Sequence, residues 1–248
     1  MTGIINDYFE EIASGKHPEK SRVYKFGENN VVGTTELAVW NAGATYVYLS
    51  AAAPMEILSD SANDTILGSG ARTIQVFGVD ADFNAIDEVV EMNGVTAVTL
   101  VNEYLRVFRA YVLTTGTPLV ITGANAGDIT IQTVTGSTPQ AFIKTGTGQT
   151  LMSIFTIPSG FTGYVWSATA LVGKGKEVKA TLKTRFNNAT NDAPFRVRAS
   201  RSLYQNAFTK NYKVPTAIPE KTDILFTAVS EGTSVSVATS FELVLIKN

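Results

Sequence analysis

Apolar and polar side chains alternate along most of this chain, most clearly at its end. Val235, Val237, Phe241, Leu243 and Leu245 fall on one side of an extended segment, and Ser234, Ser236, Ser240 and Glu242 fall on the other. Period two is the signature of a strand with one buried face. Asp223 to Val229 reads as its partner, turned through Ser230-Glu231-Gly232-Thr233. A hairpin cannot bury its own apolar face, so the rest of the chain must supply a second layer.

The same reading predicts strands over Thr35–Trp40, Thr45–Leu49, Pro54–Leu58, Arg72–Val79, Ile86–Met92, Val95–Leu100 and Tyr104–Leu113. Asp80 to Asn84 turns one pair of these, and Asn93-Gly94 has the composition of a type I′ hairpin turn. Arg106 and Arg109 are three apart, so they point to opposite faces; one of them is expected to pair with a carboxylate on the Asp87–Glu91 strand. Short strands are expected at Leu119–Thr122, Asp128–Val134 and Ala141–Ile143, within a Gly/Thr-rich stretch ending at Lys144-Thr145-Gly146-Thr147-Gly148. The pattern then restarts at Thr150–Ile157 and runs through Gly163–Ala168, Glu177–Phe186, Phe195–Ala199 and Phe208–Val214.

Before the first strand, Ile4, Ile5, Tyr8, Phe9 and Ile12 recur at helical spacing and Gly15 follows as a stop. The helix is too short to stand without a surface beneath it. It either packs on its own domain or docks on a neighbouring subunit. Lys16 to Asn30 is polar and reads as an arm or linker. The predicted architecture is all-β: an antiparallel, jelly-roll-like sandwich in two β domains, 34–146 and 147–248, behind a helix and arm over 1–33.

Composition narrows the chemistry. The 248 residues include one histidine and no cysteine, with 17% charged and 10% aromatic residues and a net charge of -2. Disulfides, thiolate metal sites and a cysteine nucleophile are excluded. The start of the chain lacks a signal-peptide pattern, and no segment approaches the ~18 apolar residues of a membrane span, so synthesis in a cytoplasm is expected. Net charge hides an asymmetry. Residues 28–91 hold ten acids against Arg72, and residues 174–213 hold ten bases against Glu177 and Asp192. These blocks can face each other within a monomer, meet between subunits, or present the basic half to nucleic acid, although the aromatics there do not interleave closely with the bases.

His17 lies in the polar arm, where a Ser-His-Asp triad has no support. Asp80-Ala81-Asp82-Phe83-Asn84 has the D-x-D-x-N spacing of a calcium loop, but Ala85 stands where that loop needs glycine; an Asx-rich hairpin turn reads the same. The Gly123–Gly127 and Gly173–Lys176 loops lack a phosphate-binding pattern. No catalytic residue, metal or cofactor is assigned.

Three segments together carry a resemblance: Thr35–Asn102, with Ser59–Thr65, Gly68–Thr73 and Gly78–Phe83 within it, then Asn102–Val107, then Phe155–Gly160 through Ile218–Ile224 to the terminal strand. In these the chain resembles structural virion proteins of tailed bacteriophages, especially marine ones, that accompany the head proteins. The resemblance implies a head decoration or cement protein that binds across capsid subunits. The major capsid protein and further copies of itself are the implied partners, a trimer is the favoured oligomer, and neither nucleic acid nor membrane is a partner. It supplies no binding residues; the candidates for capsid or subunit contacts come from the pattern, with Ile5, Tyr8, Phe9 and Ile12 in the arm and Arg185, Arg196 and Arg198 in the basic block. A carbohydrate- or receptor-binding module of a phage tail or fibre is the alternative, with Trp40, Tyr46, Tyr48 and Trp166 as either exposed platforms or core filling.

Overall fold

The computed structural model describes residues 11–12, 14–173, 176–187, 193–232 and 234–248. In chain order the strands are β1 (Lys20–Val32), β2 (Leu37–Ala38), β3 (Ala53–Ser59), β4 (Ala71–Val79), β5 (Ala85–Glu91), β6 (Val98–Tyr104), β7 (Arg106–Thr115), β8 (Ile129–Thr133), β9 (Pro139–Ile143), β10 (Ile154–Thr156), β11 (Phe161–Val172), β12 (Glu177–Phe186), β13 (Arg196–Tyr204), β14 (Ala207–Ile218), β15 (Thr222–Ser230) and β16 (Val235–Lys247). The fold is all-β, and its four sheets are antiparallel.

Two sheets, ordered β1-β16-β11-β14 and β10-β15-β12-β13, are built from the first strand and the last seven, with β2 added beside β15. Each strand of the first half of that set pairs with its counterpart from the end: β1 with β16, β10 with β15, β11 with β14, β12 with β13. A long hairpin wound on itself gives this order, and it is the jelly roll. Its core includes Val165, Leu182, Ile224, Phe226, Phe241 and Leu243, with the Phe226 and Phe241 rings 6.5 Å apart. Burial of each such side chain contributes about 1.5–3 kcal/mol.

The chain between β1 and β10 forms the other two sheets, β6-β3-β8-β9 and β5-β4-β7. Their shared core includes Met55, Ile57, Ile74, Val76, Ile131 and Ile143, and it runs on into Trp40, Met152 and Leu225 beside the jelly roll. Gly27 on β1 makes room for this join. A Cβ there would lie 2.3 Å from the Ser153 amide nitrogen and 2.4 Å from the Val39 carbonyl oxygen.

Several sequence expectations are corrected. Lys20 to Val32 is a strand, not an arm; its inward positions include Lys25, Gly27 and Asn29, while Tyr24 and Phe26 face outward, so its polarity is inverted. The terminal pair is not a hairpin, because β15 and β16 lie in opposite sheets and the turn between them is a corner of the roll. Asn93-Gly94 does not close a hairpin either. Gly94 has φ of 61°, but β5 and β6 belong to different sheets, and Gly94 instead bonds Asp64 and Ser59 through its backbone. Thr45 to Leu49 and Leu119 to Thr122 are not strands. Of the expected N-terminal helix only Glu11 and Ile12 are described, both helical.

Candidate interaction surfaces

A charged cluster joins the two sandwiches. Asp223 on β15 is fully buried. Its Oδ1 accepts from Arg106 Nε at 3.3 Å and Thr156 Oγ1 at 2.7 Å; its Oδ2 accepts from Arg185 Nε at 3.2 Å, Arg185 Nη2 at 2.6 Å and Arg106 Nη2 at 3.4 Å. Arg106 Nη1 also donates to the Leu49 and Leu105 carbonyls. Both guanidinium groups lie over the Tyr48 ring, at 4.9 Å for Arg106 and 4.4 Å for Arg185. Burial, and then the Asp223 charge, push the Tyr48 hydroxyl well above its ordinary pKa. Arg106 is thus the buried member of the Arg106/Arg109 pair, as alternation required, but its partner is on the jelly roll. The Asp87–Glu91 strand uses its acids elsewhere: Glu88 accepts from Tyr104 and the Val101 and Asn102 amides.

Lys25 reaches across the same join. It is buried, and its Nζ donates to the Phe108 carbonyl on β7. Burial, reinforced by the nearby Arg109 charge, pulls its pKa down to about 7.

The acids of the first half mostly brace loops. Asp64 is fully buried and accepts from Ser59 Oγ and the amides of Ala71, Ala126 and Gly127 at 2.6–2.9 Å. Asp80 accepts from the Asp82 and Asn84 amides and from Asn84 Nδ2, the geometry of an Asx turn. No group of three or more His, Cys, Asp or Glu among the described residues is placed to hold a metal ion. His17 Nε2 lies 3.1 Å from Glu11 Oε2.

Of the residues singled out from sequence, Ile5, Tyr8 and Phe9 lie outside the described residues, and Ile12 is buried. Arg185 is spent on Asp223, whereas Arg196 and Arg198 are exposed on β13. Trp40 and Tyr46 are core residues, and Tyr48 is held between the arginines.

The basic block forms one ion pair with the acidic block among the described residues. Lys183 Nζ lies 2.7 Å from Glu36 Oε1. Burial opposes the charged Glu36, but this bond and one from Thr227 outweigh it and hold the carboxyl below its ordinary pKa. Most of the other bases gather on β13 and β14, which are the two edge strands on one side of the roll. Arg196, Arg198, Arg201 and Lys213 are exposed there, along with Val197, Tyr204 and Val214. None of these four bases has an ion-pair partner among the described residues. Between the two strands a cavity of about 180 Å³ opens onto Val165, Leu182 and Ile218, with Arg198 and Tyr212 in its lining.

A second surface was missed by sequence reasoning. The loop after β7 folds against the loop before β4: Gly116 N donates to Gly70 O, and Thr117 Oγ1 to Ser69 O, both at 2.9 Å. Leu67, Leu119, Val120 and Ile121 project from this pair of loops into solvent. Arg106 starts β7 at the join, so Thr115, nine residues on, lies about 30 Å beyond it. The aliphatic tip therefore stands at the far end of the inserted sandwich.

No family model matches the chain, and no curated protein matches it. Among solved structures, the chain is similar to the structure of infectious bursal disease virus Gx strain (9% identity, 92% of this chain and 73% of that one, TM-score 0.27). It is also similar to a bacterial lipoprotein from Bacteroides thetaiotaomicron (10% identity, 92% and 95%, TM-score 0.20). A third is the N-terminal endo-1,4-beta-D-xylanase of Clostridium thermocellum complexed with xylohexaose (13% identity, 52% of this chain, TM-score 0.23), of which this chain spans 23%. At these TM-scores none of the three carries an assignment.

Proposed function

We propose that this chain is a structural protein of a tailed-bacteriophage particle, one that decorates and stabilises the capsid by binding across neighbouring capsid subunits. Its partners in this reading are the major capsid protein and other copies of itself, with a trimer favoured, and it performs no catalysis. The observation that carries the reading is the β13–β14 side of the jelly roll. Folding leaves Arg196, Arg198, Arg201 and Lys213 there without carboxylate partners among the described residues, beside exposed Val197 and Val214. Native sheet edges carry such charges to repel unwanted strands, and the same charges guide an acidic partner into register. Many modest contacts of this kind add up on a repeating lattice.

Cryo-electron microscopy of purified particles tests the reading. Density for the jelly roll straddling capsid subunit boundaries is expected; density confined to the tail tip would overturn it. Binding to undecorated capsids should also weaken as salt rises, because exposed charge pairs are screened.

A second reading, a saccharide-binding module, has one observation in its favour. A shallow groove on the outer face of β1, β16 and β11 is flanked by Tyr24, Phe26 and Leu171 over Ala238 and Ser240. Glycan-array binding lost in Tyr24→Ala would support it.

A further inference from the structure

We infer that the aliphatic tip of one copy seats in the open β13–β14 edge of the next copy, so that the protein assembles head to tail. The inference makes a second copy the occupant of the edge on which the capsid reading also draws, and it is tested without capsids.

The tip is built for burial. Leu67 is 89% exposed, Leu119 97% and Ile121 100%. No charged side chain occurs in residues 65–71 or 110–127. Part of the backbone of these loops is already satisfied: Val120 N donates to Thr117 O, Gly123 N to Val120 O, and the Thr115 hydroxyl to Gly123 O. At the tip itself the Leu119 and Ile121 amides have no partner among these bonds, so the receiving edge must offer them acceptors as well as an apolar floor.

The receiving surface is on the other sandwich. Its cavity of about 180 Å³ has an apolar floor of Val165, Leu182 and Ile218. A cavity of about 150 Å³ lined by such residues holds a benzene, so one leucine or isoleucine side chain fits. The tip and this edge lie on different sandwiches, and β7 runs about 20 Å from Phe108, where Lys25 meets it, to the tip. A second copy is the occupant that also matches in charge. At the tip end of its sandwich Asp60, which accepts from Asp128 N, and Glu91, opposite Thr73, are exposed, and the receiving edge exposes Arg196, Arg198, Arg201 and Lys213. A lipid surface fits less well: of the two cations beside the loops, Lys144 is paired with Asp128, and only Arg72, bonded to Gly68 O, lacks a carboxylate partner among the described residues. The tip alone is smaller than the roughly 800 Å² per partner of a stable interface, so the surrounding charges must contribute. Two different patches meeting make a heterologous contact, which closes into a ring when the rotation allows.

Analytical ultracentrifugation of the purified chain, without capsids, is the test. Wild type is expected to sediment as a closed oligomer at micromolar concentration. Ile121→Asp, at a fully exposed position, should raise the dissociation constant at least 100-fold, and Arg198→Glu at least 10-fold. Thermal unfolding of each variant checks that it is folded. Mixing the two variants leaves one intact tip facing one intact edge, so a 1:1 dimer that grows no further is expected. A monomeric wild type, an Ile121→Asp variant that still assembles, or a mixture that forms no dimer would overturn the inference. So would flotation of wild type, but not Ile121→Asp, with phosphatidylcholine vesicles, which would assign the tip to lipid.

Discussion

Arg185 and Arg198 sit on neighbouring strands of one sheet, yet their surroundings differ completely. Arg185 on β12 closes on buried Asp223 at 2.6 Å and stacks over Tyr48 and Phe195. Arg198 on β13 is exposed and, among the described residues, makes a single bond, from its Nε to Thr184 Oγ1. Both belong to the same basic block of the sequence. In the join a guanidinium holds the molecule together; at the edge its charge is left for something outside. Clustered bases do not by themselves mark a binding surface, and the presence or absence of a buried carboxylate makes the distinction.

The largest effect should follow from breaking the paired side. Asp223→Asn removes the one negative charge that Arg106 and Arg185 share and leaves two guanidinium groups uncompensated beside each other. Removing one member of a buried charged cluster costs about 3–5 kcal/mol. Urea unfolding should show a loss of that size, and a loss below about 1 kcal/mol would make the join no different from the edge.

Lys25 tests the join by pH. Its folded pKa is depressed to about 7 from 10.5, so between those values the unfolded chain binds more protons than the folded one. Stability must then rise with pH across that window, by about 1.4 kcal/mol per unit for one proton, and level off below pH 7, where the amine is charged in both states. In Lys25→Met this component of the slope should vanish. Parallel stability curves for wild type and variant between pH 7.5 and 9.5 would show that the amine is not the source.

This contrast was only partly legible in the sequence. The alternation of Val235 to Leu245 predicted a one-sided strand, and these odd-numbered positions are buried. The Asp80–Asn84 turn between β4 and β5 was equally readable, since its carboxylate bonds are local. What failed was set by distant contacts. β1 turns Lys25 and Asn29 inward because the Phe108 and Ala38 carbonyls, 83 and 9 residues away, await donors; an outward Tyr24 and Phe26 then look like noise in a polar arm. Asn93-Gly94 carries the local signature of a hairpin, but Gly94 is taken by Asp64 and Ser59, and the chain changes sheets. The basic block was visible as composition, yet its division between Asp223 and solvent needed the fold. Leu119 to Ile121 read as a strand because an apolar run of three carries no sign of whether anything covers it.

The smallest effect is expected at the exposed edge. Arg196 and Lys213 have no hydrogen bond or ion pair among the described residues. Their joint replacement by alanine should change unfolding free energy by no more than about 0.5 kcal/mol, as surface substitutions do. Arg198→Ala removes a bond to buried Thr184 and should cost about 1 kcal/mol. Measured in the Ile121→Asp background, where copies are expected to stay apart, these values report the monomer alone. In the wild-type background the same alanines should weaken assembly, and more so at low salt, where the screening length is longest. Stability that falls by several kcal/mol on losing Arg196 and Lys213 would mean that the edge, like the join, is spent on the fold and has little left to offer a partner.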